Sequence, residues 1–166
     1  MFLNIDQQLA RCERVIRQRV RPYIHRTIEP LSIEAFDIPG EPMSATDFFV
    51  HESKGDVPFR PFAVGSVWGT TWGTTWFRLR GKLPMGYPKS KPLELSIDLG
   101  WLDHSVGGHV EGMVYRSDGT VLKALHPRNR WVPFIDADGT CHMAIGNDGM
   151  FTVYVEAACN PLILGI

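Results

Sequence analysis

Beyond Pro22 the apolar residues of this chain recur at every second position, a period that fits strands and excludes long helices. Segment 75–83 sets Phe77, Leu79 and Leu83 on one face and Trp76, Arg78, Arg80 and Lys82 on the other. Segment 92–99 sends Leu93, Leu95, Ile97 and Leu99 inward and Glu94, Ser96 and Asp98 outward. If the two segments are neighbours, a basic row faces an acidic row across the ladder, a structural use for those charges. Further strands are expected near 28–36, 108–116, 120–125, 130–135, 140–145 and 150–158. Clear turn signals separate them: Ser117-Asp118-Gly119, Asp136-Ala137-Asp138-Gly139 and Asn147-Asp148-Gly149. Turns roughly eight to twelve residues apart predict a mainly β fold, an antiparallel β-sandwich of jelly-roll type. Residues 37–66, rich in Pro and Phe, are expected to wrap the sheet as a long ordered loop with one helical turn near 45–50.

One helix precedes the strands. Ile5, Leu9, Cys12, Ile16 and Val20 recur at spacings of three and four on a basic rod carrying Arg11, Arg14, Arg17, Arg19 and Arg21. Asn4 or Asp6 can cap its start, and Pro22 is expected to end it. The division is therefore residues 1–22 as an amino-terminal helix and 23–166 as a β-sandwich domain. A helix this short and this charged must dock on something. Its arginines read more simply as a solvated face than as a phosphate-binding arm.

The formal net charge is −1, so no field exists to gather nucleic acid or an anionic membrane, and neither is expected as a partner. Three cysteines, Cys12, Cys141 and Cys159, include no CxxC pair, which removes a disulfide framework and a zinc knuckle. The start lacks the layout of a signal peptide, and no apolar run approaches the roughly 18 residues a membrane span needs. The chain reads as cytoplasmic. A phosphate loop, a GxSxG elbow and a dinucleotide fingerprint are all missing.

The most unusual stretch is 65–77, where Trp-Gly-Thr-Thr occurs at 68–71 and again at 72–75 before Trp76. Three indoles so close together either fill a core or domain interface or form a platform for a sugar ring, and core or interface is the simpler reading. Arg128, Arg130 and Trp131, in His126-Pro127-Arg128-Asn129-Arg130-Trp131, divide in the same way between a neighbouring domain and a sugar. Asp103 and Glu111 flank the turn Gly107-Gly108, with His104 and His109 beside them. The two histidines share no strand period that aims both at one point, so a turn or a domain contact is preferred to a metal or catalytic site.

The run Arg60-Pro61-Phe62-Ala63-Val64-Gly65, then Trp68-Gly69, then Trp72-Gly73-Thr74-Thr75-Trp76-Phe77-Arg78, resembles the region ahead of the catalytic domain in class II α-mannosidases. These are glycoside hydrolase family 38 enzymes of the cytosolic and vacuolar type. Later pieces agree in order: Leu95-x-x-Asp98-Leu99-Gly100, Glu111-Gly112-x-Val114-Tyr115, Asp118-Gly119, His126-Pro127-Arg128 and Tyr154-Val155-Glu156-Ala157-Ala158-x-Asn160-Pro161. The opening helix followed by Arg21-Pro22-Tyr23-Ile24 is similar too, so the likeness covers the whole chain. Cys159 departs from it, standing where a small residue such as Ala is expected.

The resemblance implies a β-sandwich that packs against a catalytic domain, and a parent enzyme that removes terminal α-mannose with retention and the help of zinc. The family's His-x-Asp metal motif and its nucleophile aspartate lie downstream. None of His25, His51, His104, His109, His126 and His142 has Asp two positions later. The expectation is an accessory domain with no catalytic residue, no metal ligand and no cofactor of its own, zinc belonging to the catalytic domain. The expected partner is that downstream domain, with homo-oligomerisation as an open alternative. Trp72, Trp76, Trp101, Arg128, Arg130 and Trp131 are the candidates for contact with a sugar or a domain. The rival reading is an independent carbohydrate-binding module built on Trp72, Trp76 and Trp101. The apolar ending, Leu162-Ile163-Leu164-Gly165-Ile166, gives the further expectation of a fragment with an apolar patch at that end or along the helix.

Overall fold

The computed structural model describes residues 4–101 and 109–161, in two compact units, Met1–Pro30 and Leu31–Ile166. In the first, α1 (Ile5–Val15) opens on Asn4, whose side chain accepts the Gln7 N–H. A π-helical turn, Ile16–Val20, follows, and then α2 (Arg21–Ile24). Pro22 therefore does not end the helix. It sits in the first turn of α2, where a missing N–H is harmless, and the wider turn before it bonds Arg21 N–H to Ile16 O. Ile5, Leu9, Ile16 and Val20, the apolar stripe, are all exposed.

The second unit is built on β1 (Ser32–Asp37), α3 (Ala45–Lys54), β2 (Arg60–Pro61), β3 (Thr74–Lys82), β4 (Leu93–Ser96), β5 (Val110–Arg116), β6 (Val121–Leu125), β7 (Trp131–Ile135) and β8 (Met150–Cys159). One antiparallel sheet has the order β2-β1-β3-β8-β5-β6, and β4 with β7 forms a second. The two are the halves of an antiparallel sandwich. Phe77, Leu79, Val114, Val153 and Val155 from the large sheet share a core with Leu95, Val132 and Phe134 from the small one. At the expected turns Gly119, Gly139 and Gly149 take φ of 83°, 87° and 83°, values that cost glycine nothing.

The segments 75–83 and 92–99 are not neighbours. β3 lies between β1 and β8, and β4 pairs with β7. Alternation in a strand determines which residues share a face but carries no information about the adjacent strand. The arginines of β3 find other acids. Arg78 Nε donates to Glu34 Oε2 at 2.8 Å, Arg78 Nη1 donates to Glu52 Oε1 at 2.9 Å, and Arg80 reaches Glu34 at 3.2 Å. Asp98 pairs instead with Arg130. Around 140–145 no strand forms; an isolated bridge joins Ile135 to Cys141.

The expected loop 37–66 contains a full helix, α3. Ser44 Oγ caps it by accepting the Asp47 N–H at 3.1 Å, and Gly55, at φ 75°, closes it. Its buried residue, Phe48, covers the sheet face opposite the sandwich core. There Phe48 stacks on Trp76 with ring centroids 3.6 Å apart and planes 7° from parallel, beside Tyr115 and Tyr154. Glu52, one turn further on, accepts from Tyr154 Oη at 2.7 Å as well as from Arg78.

Truncation of Phe48 to Ala should cost about 3–5 kcal/mol through the cavity left over Trp76. Urea unfolding should show the loss, and native Trp emission should move to longer wavelength. The hydrogen bond from Arg78 holds the Glu34 carboxyl below its ordinary 4.5. A carboxylate depressed on folding stabilises in full above its unfolded value, and the contribution disappears as pH falls through the folded one. Glu34→Gln should therefore lower stability at neutral pH, where the ionised carboxylate is bonded to Arg78. As pH falls through and below 4.5 the variant should lose less stability than the unmutated domain, as urea midpoints will report.

Candidate functional site

Between Arg60 and Arg78 the chain has no charged side chain, and this neutral segment carries the two Trp-Gly-Thr-Thr copies. Identical residues meet different fates because the repeat straddles the boundary between a loop and β3. Trp68 is half-buried, donates from Nε1 to Leu99 O at 3.1 Å, and meets Phe77 edge-on at 5.4 Å. Gly69, at φ 70°, brings the backbone so close that a Cβ there would stand 3.0 Å from the Cys159 Cβ. Trp72 is 73% exposed. Trp76, four residues later and inside β3, is sealed completely, with its Nε1 lacking a partner.

Trp76 is thereby removed from the residues that can touch a ligand. Its position in β3 points it to the face that α3 covers, and the stack on Phe48 closes over it. Trp101 is half-buried and donates from Nε1 to Val110 O at 2.8 Å, so its indole edge is committed to the fold. Arg130 is bound to Asp98, with its guanidinium 6.0 Å above the ring of the half-buried Trp131. Arg128 is exposed, its N–H donating to His126 Nδ1 at 3.3 Å.

Backbone bonds gather several of these groups at one end of the sandwich. Trp72 N–H donates to Cys159 O at 2.7 Å, Val110 pairs with Cys159, and Asn160 N–H donates to His109 O at 2.7 Å. Trp68, Trp72 and Trp101 thus surround the ends of β5 and β8. Arg130 and Trp131 belong to a second group, on the small sheet.

Among the described residues neither group is a catalytic constellation. Glu111 is exposed, while Asp103 and His104 lie outside the described residues, as do Ile163 and Ile166 of the apolar ending. His109 has its Nδ1 buried without a partner. The zinc of the resemblance finds no fitting donor set, since among the described residues no three His, Cys, Asp or Glu converge. Burial, and then hydrogen bonds to Glu52 and Glu156, push the hydroxyls of Tyr154 and Tyr115 well above the ordinary tyrosine range. Those tyrosines lie in the packed layer under α3 and do not line a cleft. A depression beside α3 is bordered by Thr46, Phe49, Ser53 and Asp118, but the Asp118 carboxylate is taken by Thr120 N–H at 2.9 Å and Thr120 Oγ1 at 2.6 Å.

The helix residues Phe48 and Glu52, which hold the outer face of the sheet, were outside the sequence-based candidates. The signal that finds them is Ser44-x-x-Asp47 ahead and Gly55 behind, a start and a stop that enclose ten residues. Among the described residues no helix is long and apolar enough to cross a membrane. None of the curated proteins compared with the chain matches it. A family model described as the jelly roll domain of Ams1-like alpha-mannosidases matches residues 29–165, from just before β1 to past β8. The chain belongs to this family of α-mannosidase jelly roll domains.

Proposed function

We propose that this chain is the non-catalytic accessory domain of a retaining, zinc-dependent α-mannosidase of glycoside hydrolase family 38, and that it buttresses the catalytic portion of that enzyme. The observation that carries the proposal is the family match, which spans the entire sandwich. The Trp68–Arg78 run and the ordered motifs through Asn160-Pro161 support the narrower assignment within the glycosidases.

The chemistry agrees. Retaining glycosidases need two carboxyl groups roughly 5 Å apart, one to attack and one to shuttle the proton. Here the partly buried carboxylates serve the fold: Glu34 and Glu52 grip Arg78, and Glu156 accepts from Tyr115 Oη at 2.7 Å. A wall that supports another domain needs such internal ties and no reactive group of its own. The catalytic portion of the same enzyme is the proposed partner. The thiols of Cys12, Cys141 and Cys159, all free, suit a reducing cytoplasmic setting.

With 4-nitrophenyl α-D-mannopyranoside, this chain alone should release no nitrophenol above the uncatalysed rate. Activity should appear when the zinc-bearing catalytic portion is joined to it, and should fall when Phe48→Ala loosens the domain inside the joined enzyme. Hydrolysis by the isolated chain would overturn the assignment.

A further inference from the structure

Among the described residues Trp72 is alone, glycines aside, in having a positive φ, 67°. Bulky side chains rarely adopt this left-handed conformation, because Cβ crowds the neighbouring carbonyl. Three backbone bonds hold it there. Trp72 N–H donates to Cys159 O at 2.7 Å, Gly73 N–H to Thr70 O at 2.7 Å, and Cys159 N–H to Gly73 O at 3.0 Å. The strain gains no burial, for the indole stays 73% exposed. Glycine would meet the backbone requirement better and would leave no apolar ring in water. Folding therefore gives no reason for tryptophan at this position, and a strained residue that the surroundings over-determine points to a binding role.

The surroundings narrow the ligand. No charge occurs from Pro61 to Phe77, so phosphates, acidic peptides and nucleic acids meet no counter-charge in this segment. A quaternary ammonium group would need an aromatic cage. The flanking indoles do not provide one, since Trp76 is sealed and Trp68 is tied to Leu99 O. What Trp72 offers is a single flat ring, next in the chain to the exposed residues Thr70 and Thr71. That combination suits a neutral pyranoside, whose C–H face lies on an indole while its hydroxyl groups bond to oxygen atoms at the rim.

We infer that Trp72 is the stacking residue of a carbohydrate-binding subsite, and that the subsite takes a terminal α-mannoside. The identity of the sugar rests on the accessory-domain assignment; the stacking site rests on the geometry of Trp72. The pinned backbone presents the ring in one orientation before the ligand arrives, so binding requires little reordering of the loop.

The test is a titration of the ¹⁵N-labelled chain with α-linked mannobiose, following the indole N–H resonances, with cellobiose as the comparison sugar. Mannobiose should shift the Trp72 resonance with a dissociation constant on the order of 1 mM. Trp72→Gly should weaken binding by at least about tenfold while its urea midpoint stays level or rises. Trp72→Asn, which also tolerates a positive φ, should behave alike. The Val64→Ser, Val67→Ser double variant, altered at exposed apolar positions of the same loop, should keep the affinity of the unmutated chain. The inference is overturned if mannobiose leaves the Trp72 resonance in place, or if Trp72→Gly binds equally well. A lower urea midpoint for both Trp72 variants would also overturn it, by making the indole a structural element. So would protection of Trp72 by the added catalytic portion with no response to sugar, which would make it a protein contact. Because the titration uses this chain alone, a negative result leaves the accessory-domain assignment to be judged by the activity assay.

Discussion

Strand β3 has to satisfy two interiors at once. Phe77 and Leu79 enter the core shared with the small sheet, whereas Trp76 and Arg78 point to the opposite side. On a half-exposed sheet that opposite side would be solvated. Here α3 covers it, so the strand is buried almost throughout and the fold acquires a third layer. The layer is held by the Phe48–Trp76 stack with the edge-on rings around it, by Arg78, and by the Tyr154–Glu52 hydrogen bond. Without Phe48 the indole of Trp76 would open to water, and without Arg78 the carboxylates of Glu34 and Glu52 would lose their common cation.

The polar part of that layer is economical. Arg78 lies 4.2 Å over the Phe59 ring while bonding to two carboxylates from β1 and α3. Charges this poorly solvated stabilise a fold only when each keeps its partner. The cluster therefore specifies where α3 docks more than it adds to overall stability. It also explains why the perturbed groups here indicate structure. Perturbed titration points to catalysis when it occurs in a cleft that a substrate can enter, and these groups are roofed by a helix.

Much of this was legible in the sequence. The period-two segments and the Asp-Gly turns located β3, β5, β6, β7 and β8, and alternation assigned Phe77 and Leu79 to the core. Alternation could not say that Arg78 and Arg80 would meet Glu34 and Glu52 and not the acids near β4, because pairing depends on contacts far apart in the chain. Helix α3 was legible only as a single turn near 45–50, because it buries one residue, Phe48, and shows no apolar stripe. The tryptophans illustrate the limit most directly. Trp72 and Trp76 each follow a Trp-Gly-Thr-Thr tetrapeptide, yet one is pinned outward in a loop and the other is sealed in a strand. Composition announced an aromatic cluster; only the position where the strand begins decides which ring is available. The wider assignment rested on ordered motifs along the whole chain, and the family match covers residues 29–165, the part that follows the amino-terminal helix.

The place of β8 has a consequence for biosynthesis. This strand is the last of the described elements to be made, yet it lies inside the large sheet between β3 and β5. Until the ribosome has released Cys159, β3 and β5 each carry an unpaired edge. The Tyr154–Glu52 bond, spanning 102 positions, cannot form before then either. A nascent chain halted earlier holds open β edges next to unburied Phe, Leu and Trp side chains, the surfaces on which chains associate wrongly. Completion of the sheet is thus a late, nearly all-or-none event. The edges that β8 closes stay open to such contacts until elongation has passed Cys159.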